Sequence, residues 1–280
     1  MTSRGEPRRF GKLVAGGQIV GGRQRQEDDF EVLSLTDDGD QCAHLMILAD
    51  GMGGHPGGVE ASGVAVSAFA DAFRERKWGG TAGRLRDSLD AAEAAVARHA
   101  EDHEGFSGMG CTLVACVVKK DGTAQWTSVG DSLLFHLPAG SDRTVTRLNE
   151  DHSMRPVLED MVRLGRMTPE EAQRGPVNQL RSALTGEGLT LVDEGAKALE
   201  LKTDDWLIVA SDGLNTLQAD EVRRLCDEHR TPFAVVSELL MAVTERARTA
   251  QDNTTVIAYR HSPASSRSWL ARLFSRRRRS

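Results

Sequence analysis

Short apolar runs bounded by turn residues recur along the chain and predict β-strands. Five of them read as buried or half-buried strands: 12–20, 30–35, 45–49, 206–210 and 254–259. A second series, at 112–119, 124–129, 133–137 and 144–148, is rich in β-formers and separated by turn residues. That spacing predicts an antiparallel meander, with Asp121-Gly122 in its first turn.

Longer segments with helical spacing form two pairs that lie far apart in the sequence: 59–77 with 85–103, and 221–229 with 232–248. In the first helix, four apolar side chains recur on one face: Val59, Val66, Phe69 and Phe73. Residues 156–173 are also helical but break before Pro169, where Thr168 can cap a new helix. Helices packed on β-sheet layers explain this order better than a regular βαβ alternation.

The composition is that of an ordinary globular chain. With 280 residues, 39% hydrophobic and 27% charged, it can bury one large core or two small ones. No stretch approaches the roughly 18 consecutive apolar residues of a spanning helix, and the charged residues 1–12 lack the apolar centre of a signal peptide. The four cysteines are scattered singly, so we expect reduced thiols. These features together predict a cytoplasmic protein.

Charge is unevenly distributed along the chain. The formal net charge is -6, yet residues 263–280 carry six arginines and no acid, which leaves 29 basic and 41 acidic residues elsewhere. We expect one domain over 1–262 and a flexible basic tail over 263–280. The tail suits an anionic membrane surface or an acidic partner, and a purely solubilising end is the alternative. The acidic body and the lack of a base-reading pattern argue against specific nucleic-acid binding.

Two of the four Asp-Gly pairs end apolar strands. Asp50-Gly51 closes LMILAD and Asp212-Gly213 closes WLIVASD, so each carboxylate lies where a core strand emerges. The other two pairs, beginning at Asp38 and Asp121, have polar flanks and are most simply hairpin turns. An aspartate that accepts backbone N–H bonds would explain one strand-end site. Two matching sites favour a shared function.

Acidic residues also precede two further apolar strands. Glu27 and Asp28 stand before the strand at 30–35, and Asp252 before the one at 254–259. If a sheet gathers these strand ends, the carboxylates repel one another and must shift their pKa or bind cations. Oxygen ligands suit Mg²⁺ or Mn²⁺, and no zinc pattern is present. No complete G-x-G-x-x-G, P-loop or G-x-S-x-G occurs, which argues against nucleotide binding and a serine hydrolase.

Seven short motifs together carry a family resemblance: RQRQED, ADGMGGH, GMGCTLVA, VGDS, EDHS, ASDGL and QDNTTVI. Their order and approximate spacing resemble those of the metal-dependent PP2C-type (PPM) serine/threonine protein phosphatases, in their bacterial form. The resemblance runs from about Gly16 to Arg260. It implies an α+β fold, an α/β/β/α sandwich of two antiparallel sheets flanked by helix pairs. It also implies phosphorylated protein substrates and an opposing Ser/Thr kinase.

The resemblance implies a role for each matching residue. The expected metal ligands are five: Asp28, Asp50, Asp212, Asp252 and the backbone carbonyl of Gly51. They would hold two Mn²⁺ or Mg²⁺ ions, and a water or hydroxide that bridges the two ions would attack phosphorus. Glu27 would orient that water, and Arg23 would bind the substrate phosphate. Asp131 would contribute to a third ion, or is a simple hairpin aspartate.

Several positions leave alternatives open. MVRLGRMTPEEA resembles the flap beside the active site, and Asn178 follows it at a position that the family pattern also has. Leu133 stands where an arginine often follows the GDS triplet, although no metal ligand is lost. His55 and His152 could protonate the leaving oxygen or be structural. The competing hypothesis for the whole chain is a PP2C-fold signalling or adaptor module that acts by partner or membrane-surface binding.

Overall fold

Two antiparallel β-sheets stack face to face in the computed structural model, which describes residues 4–35, 42–52, 56–140, 144–195, 198–246 and 250–262. The first sheet has the order β1 (Arg4–Arg9), β2 (Val14–Ile19), β13 (Thr254–Arg260), β12 (Trp206–Ala210), β8 (Leu133–Leu137) and β9 (Thr146–Arg147). The second has the order β10 (Asp193–Glu194), β7 (Thr123–Val129), β6 (Leu113–Lys119), β4 (Cys42–Met52) and β3 (Asp28–Ser34). Two short strands complete the second layer: β5 (Gly110–Cys111) pairs with β4, and β11 (Leu199–Glu200) pairs with β7.

Helix pairs cover the outer faces of the sandwich. The helices α1 (Pro56–Glu75) and α2 (Gly80–Asp102) lie on the second sheet, and α5 (Ala219–Glu228) and α6 (Pro232–Glu245) lie on the first. A third, smaller pair consists of α3 (Arg155–Arg163) and α4 (Pro169–Arg174). Across the described ranges, none of these helices combines the length and the apolar character that a bilayer crossing requires. The predicted sandwich with flanking helix pairs is confirmed.

The strand β4 shows why the apolar run LMIL is continuous. Met46 and Leu48 face the other sheet, where they pack with Leu207 and Ile257. Leu45 and Ile47 face the helices, where they pack with Phe69 and Phe73. A strand buried on both faces loses its polar alternation. Each fully buried side chain of this size contributes about 1.5–3 kcal/mol to folding.

The predicted single meander over 112–148 is wrong. The strands β6 and β7 form a hairpin in the second sheet, whereas β8 and β9 pair with each other in the first sheet. The chain therefore crosses between the sheets at residues 130–132, and this crossing carries Asp131. Apolar and polar alternation determines which face of a strand is buried, but it does not determine which sheet the strand joins.

The apolar pattern does not predict the strand β1, because its sequence, RGEPRR, is polar. It pairs only with β2, from Arg4 opposite Ile19 to Arg9 opposite Ala15, and so forms an edge of the first sheet. Proline and charged residues are tolerated in edge strands. The prediction that Val59 belongs to the buried face of α1 is wrong. Val59 is 37% exposed and does not join Phe69 and Phe73 in the core.

Other expectations have definite outcomes. The predicted cap at Thr168 is confirmed: its Oγ1 accepts from the Glu171 N–H at 3.2 Å, and Glu171 Oε2 accepts from the Thr168 N–H at 2.8 Å. All four cysteines are buried as thiols. Three predicted features lie outside the described residues: the turn at Asp38, the side chain of His55, and the basic tail over 263–280.

Candidate active site

Four aspartates that are distant in sequence meet at one end of the sandwich. Asp28 and Asp50 are directly opposite each other on β3 and β4. Asp212 follows β12 and Asp252 precedes β13, and these two strands are neighbours in the other sheet. A cavity of about 240 Å³ opens there, with this lining: Arg23, Glu27, Asp50, Gly51, Met52, Thr112, Asp131, Asn178, Leu180, Asp212 and Asp252.

Asp28 is not among the lining residues, because it is buried between the sheets at 4% exposure. Its Oδ2 accepts hydrogen bonds from Ser211 Oγ at 2.8 Å and Thr255 Oγ1 at 2.7 Å. Among the described residues, its Oδ1 is buried without a hydrogen-bond partner. Burial raises the pKa of Asp28 to about 6. An orphaned buried oxygen is costly, so Oδ1 is suited to a cation.

Burial and mutual repulsion raise the pKa of Asp50 and of Asp212. Burial raises the pKa of Asp50 well above its ordinary value, and the negative charges of Asp28 and Asp212 add to this effect. The pKa of Asp212 rises to about 7 through burial and the charge of Asp131. The Oδ1 atom of Asp212 is also buried without a partner. The cluster therefore carries excess negative charge that divalent cations would neutralise.

The side-chain orientations limit how directly these carboxylates could bind an ion. Within the described ranges, no three histidine, cysteine, aspartate or glutamate side chains already stand in an arrangement that could hold a metal. Oδ2 of Asp252 faces Arg23, and Oδ2 of Asp28 faces two hydroxyls. The oxygen-only donors fit Mg²⁺ or Mn²⁺, which also keep waters in their shells. Binding would require rotation of side chains such as Asp252.

The glycines of the two strand-end Asp-Gly pairs allow backbones to approach closely. A Cβ at Gly51 would collide with the Gly58 carbonyl oxygen and lie 2.6 Å from the Glu27 carbonyl oxygen. A Cβ at Gly213 would collide with the Asn253 carbonyl oxygen. In contrast, Gly122 has a φ of +89°, as a turn glycine does. The strand-end pairs and the turn pair Asp121-Gly122 thus need glycine for different reasons.

Backbone hydrogen bonds position Glu27 at the cavity wall. Its N–H donates to Asn253 Oδ1 at 2.9 Å, and its carbonyl accepts from the Gly51 N–H at 3.0 Å and from Ser62 Oγ at 2.6 Å. Asn253 also donates through Nδ2 to the carbonyls of Val20 and Arg25, at 2.8 and 2.9 Å. The sequence pattern alone indicates no role for Asn253, although it lies within the motif QDNTTVI.

Arg23 stands at the mouth of the cavity. Its Nη2 donates to Asp252 Oδ2 at 2.6 Å, and its side chain is 48% exposed. The remaining donors of the planar guanidinium can reach a ligand in the cavity, in the fork that suits phosphate oxygens. The predicted phosphate-binding arginine therefore lies beside the predicted metal ligands.

The arginine that contacts the Asp131 turn is Arg147 on β9, and not a residue directly after the GDS triplet. Arg147 of β9 donates through Nη2 to the Asp131 carbonyl at 2.9 Å and pairs through Nη1 with Asp151 at 3.0 Å. Leu133, where the family often has arginine, is buried in the core. Burial, together with the charge of Asp151, raises the pKa of Asp131 to about 6. The side chain of Asp131 lines the cavity, and its role toward a third ion stays a prediction.

The histidine that is described in this region has structural contacts. His152 is 2% exposed, and its Nδ1 accepts a hydrogen bond from the Gly130 N–H at 3.2 Å. Burial lowers the pKa of the His152 imidazole. The segment after α4 contributes Asn178 and Leu180 to the cavity wall, so it is part of the site.

Comparison with known proteins agrees with this geometry. A family model for protein phosphatase 2C matches residues 18–253. The serine/threonine phosphatase stp of Listeria monocytogenes is 31% identical over 243 residues, which cover 84% of this chain and 90% of that protein. The crystal structure of Mycobacterium tuberculosis serine/threonine phosphatase PstP/Ppp aligns with a TM-score of 0.70 and 26% identity over 88% of this chain and 97% of that chain.

A second solved structure, the catalytic domain of PstP in complex with two manganese ions, aligns with a TM-score of 0.69 and 25% identity. The alignment covers 89% of this chain and 98% of that chain. The family resemblance and the fold expected from the sequence are therefore confirmed. The chain belongs to the protein phosphatase 2C family.

Proposed function

We propose that this serine/threonine phosphatase removes phosphate from phosphoserine and phosphothreonine in proteins, with two Mn²⁺ or Mg²⁺ ions in the carboxylate cluster. One observation carries the proposal: Asp28, Asp50, Asp212 and Asp252 converge on one end of the sandwich, where two buried carboxylate oxygens have no hydrogen-bond partner in the described part of the chain. The complex of PstP with two manganese ions supports the number and kind of ion. An adaptor without catalysis would have no need of this cluster.

The four aspartates and the Gly51 carbonyl would hold the two ions, and Asp131 with Asp212 would hold a third. When bound, such ions polarise the phosphoryl oxygens and lower the pKa of water, so no protein nucleophile is needed. Four carboxylates balance the charge of two dications, which leaves the Arg23 cation to attract the phosphate dianion. Glu27, whose backbone is held at both its N–H and its carbonyl, orients the attacking water through its carboxylate.

The biological setting follows from the same chemistry. A phosphatase of this kind opposes a Ser/Thr kinase that phosphorylates the same proteins. The catalytic domain is proposed to span 1–262 and to act in the cytoplasm. The basic tail over 263–280 would contact an anionic membrane surface or an acidic partner, without specific nucleic-acid binding.

Hydrolysis of phosphothreonine and phosphoserine peptides tests the proposal directly. With Mn²⁺ present we expect turnover, and after chelation a fall of at least about 1000-fold, because the ions contribute several kcal/mol to the barrier. Adding Mn²⁺ back should restore the rate. A phosphotyrosine peptide serves as the specificity control. Turnover that persists unchanged after chelation would contradict the metal mechanism.

Arg23→Ala should lower kcat/KM for phosphopeptides by about 10- to 100-fold, since a bidentate charge-assisted contact to phosphate is lost. KM would rise if Arg23 binds phosphate equally in the ground and transition states. Instead, kcat would fall if the contact tightens during attack. Arg25→Ala is the matched control, two residues away. Equal losses in both variants would show that general positive charge at the mouth, and not Arg23, attracts the substrate.

A further inference from the structure

A second cavity lies between α3 and α4, outside the carboxylate site. Its volume is about 360 Å³, and its apolar lining consists of Leu158, Val162, Pro169, Ala172 and Val177. Leu158 and Ala172 are the buried apolar residues of this helix pair. The side chains of α3 and α4 therefore leave a cavity between the two helices. We call this cavity the α3/α4 pocket.

The α3/α4 pocket and the carboxylate cavity share a rim. Val177 lines the pocket, and the next residue, Asn178, lines the carboxylate cavity. Arg155, which also lines the pocket, donates through Nη2 to Asn178 Oδ1 at 2.8 Å. The two cavities are therefore lined by consecutive residues, whose Cα atoms are about 3.8 Å apart.

The chemistry of the shared rim suits a phosphorylated polypeptide. Arg155 places a cation beside Asn178, where a chain bearing a phosphate would pass, and Glu159 and Gln173 are the other polar residues of the pocket lining. An extended peptide advances about 3.3 Å per residue, so residues about two to four positions from the phosphorylated one can reach the pocket. The apolar walls would accept a side chain such as leucine, methionine or valine, because burial removes its apolar surface from water.

We infer that the α3/α4 pocket is a substrate subsite, which binds an apolar side chain about two to four residues from the phosphoserine or phosphothreonine. The inference rests on the proposed function, because the carboxylate cavity must bind the phosphorylated residue. It makes the helix pair a determinant of which phosphoproteins are hydrolysed. Asn178 and Arg155 then lie beneath the connecting stretch of peptide.

Paired phosphothreonine peptides test the subsite. Each pair differs only in having leucine or serine at one position, two to four residues from the phosphothreonine on either side. For the wild-type enzyme with Mn²⁺, we expect one register at which the leucine peptide has a kcat/KM about tenfold higher, the usual scale for an apolar contact. Val162→Asp should reduce this ratio to about one. The ratio is measured on one preparation, so a general loss of active enzyme cancels.

Met161→Asp is the matched control, since it places the same charge on the adjacent, 38% exposed residue of α3, which does not line the pocket. It should keep the leucine preference. Val162→Ala is a milder change that replaces the aspartate variant if that variant fails to fold. It should lower the ratio about two- to fivefold. The inference is overturned if the wild type shows no leucine preference at any register, or if the Val162 variants keep it. It also fails if Met161→Asp abolishes the preference equally.

Failure of the proposed function gives a different result. In that case the wild-type enzyme with Mn²⁺ hydrolyses neither any phosphopeptide nor p-nitrophenyl phosphate. The subsite inference would then fall with it. A wild type that hydrolyses every peptide of the series at the same rate retains the phosphatase function and overturns only the subsite.

Discussion

We expect Asp212→Asn to lower phosphatase turnover by about 1000-fold and Asp121→Asn to leave it unchanged. Both residues precede glycine, but their surroundings differ. Asp212 has a buried oxygen without a partner and lies among other carboxylates. Asp121 is an exposed turn residue whose Oδ1 accepts from the N–H and Oγ1 of Thr123 at 3.0 and 2.7 Å. An amide is a weak ligand for hard dications, so we expect only the first change to disturb the proposed metal site, whose ions would contribute several kcal/mol.

Two measurements on each variant distinguish a loss of turnover from a loss of metal binding: kcat on a phosphothreonine peptide, and the Mn²⁺ dissociation constant from calorimetry. Asp212→Asn should also remove part of the pH dependence of metal-free stability. The folded pKa of Asp212, about 7, exceeds its ordinary value of 3.8, so the folded state binds more protons between these values and loses stability as pH rises through them. Equal kinetic effects at positions 212 and 121 would mean that Asp212 is only a turn residue.

We expect Gly213→Ala to destabilise the protein by at least about 2 kcal/mol, because inserting a methyl group into a packed backbone forces the chain apart. The methyl group would collide with the Asn253 carbonyl oxygen and Thr254 Oγ1, at the start of β13. Gly51→Ala should act in the same way at the other sheet, through the carbonyl oxygens of Gly58 and Glu27. Urea unfolding of the metal-free protein measures the loss without a contribution from bound ions.

Gly83→Ala is the control for these two variants. Gly83 lies within α2, and a Cβ there would meet nothing within 4 Å. Alanine in a helix interior is more favourable than glycine by about 0.5–1 kcal/mol, so this variant should be slightly more stable than the wild type. If Gly213→Ala unfolds at the same urea concentration as Gly83→Ala, the close backbone approach is not a requirement of the fold.

Much of the architecture could be predicted because its signals are local. The run LMIL in β4 is apolar at every position, and Thr168 and Pro169 mark the start of α4 within four residues. Position also identified the carboxylates, because Asp50 and Asp212 end apolar runs, which is an unusual place for a charge, although β4 itself continues through Asp50 to Met52. The family resemblance then named their partners in the site, whose ligand roles remain predictions.

Other features depended on which elements pair. Nothing in RGEPRR indicates a strand, because β1 exists through its backbone bonds to β2. Local alternation also could not show that the chain changes sheets between β7 and β8. Both are results of long-range pairing, which apolar patterns of a few residues do not encode.

The sequence by itself determined the strands and helices with strong periodicity, and the strand ends at which acidic residues stand. Only the tertiary structure decided how those acids are surrounded: Ser211 and Thr255 hold Asp28 from the opposite sheet, and Asn253 positions Glu27 from 226 residues away. It alone placed Arg147 on the Asp131 turn and opened the α3/α4 pocket beside Asn178. The physical reason is that hydrogen bonds, burial and cavities arise between elements, whereas propensity and periodicity act within them.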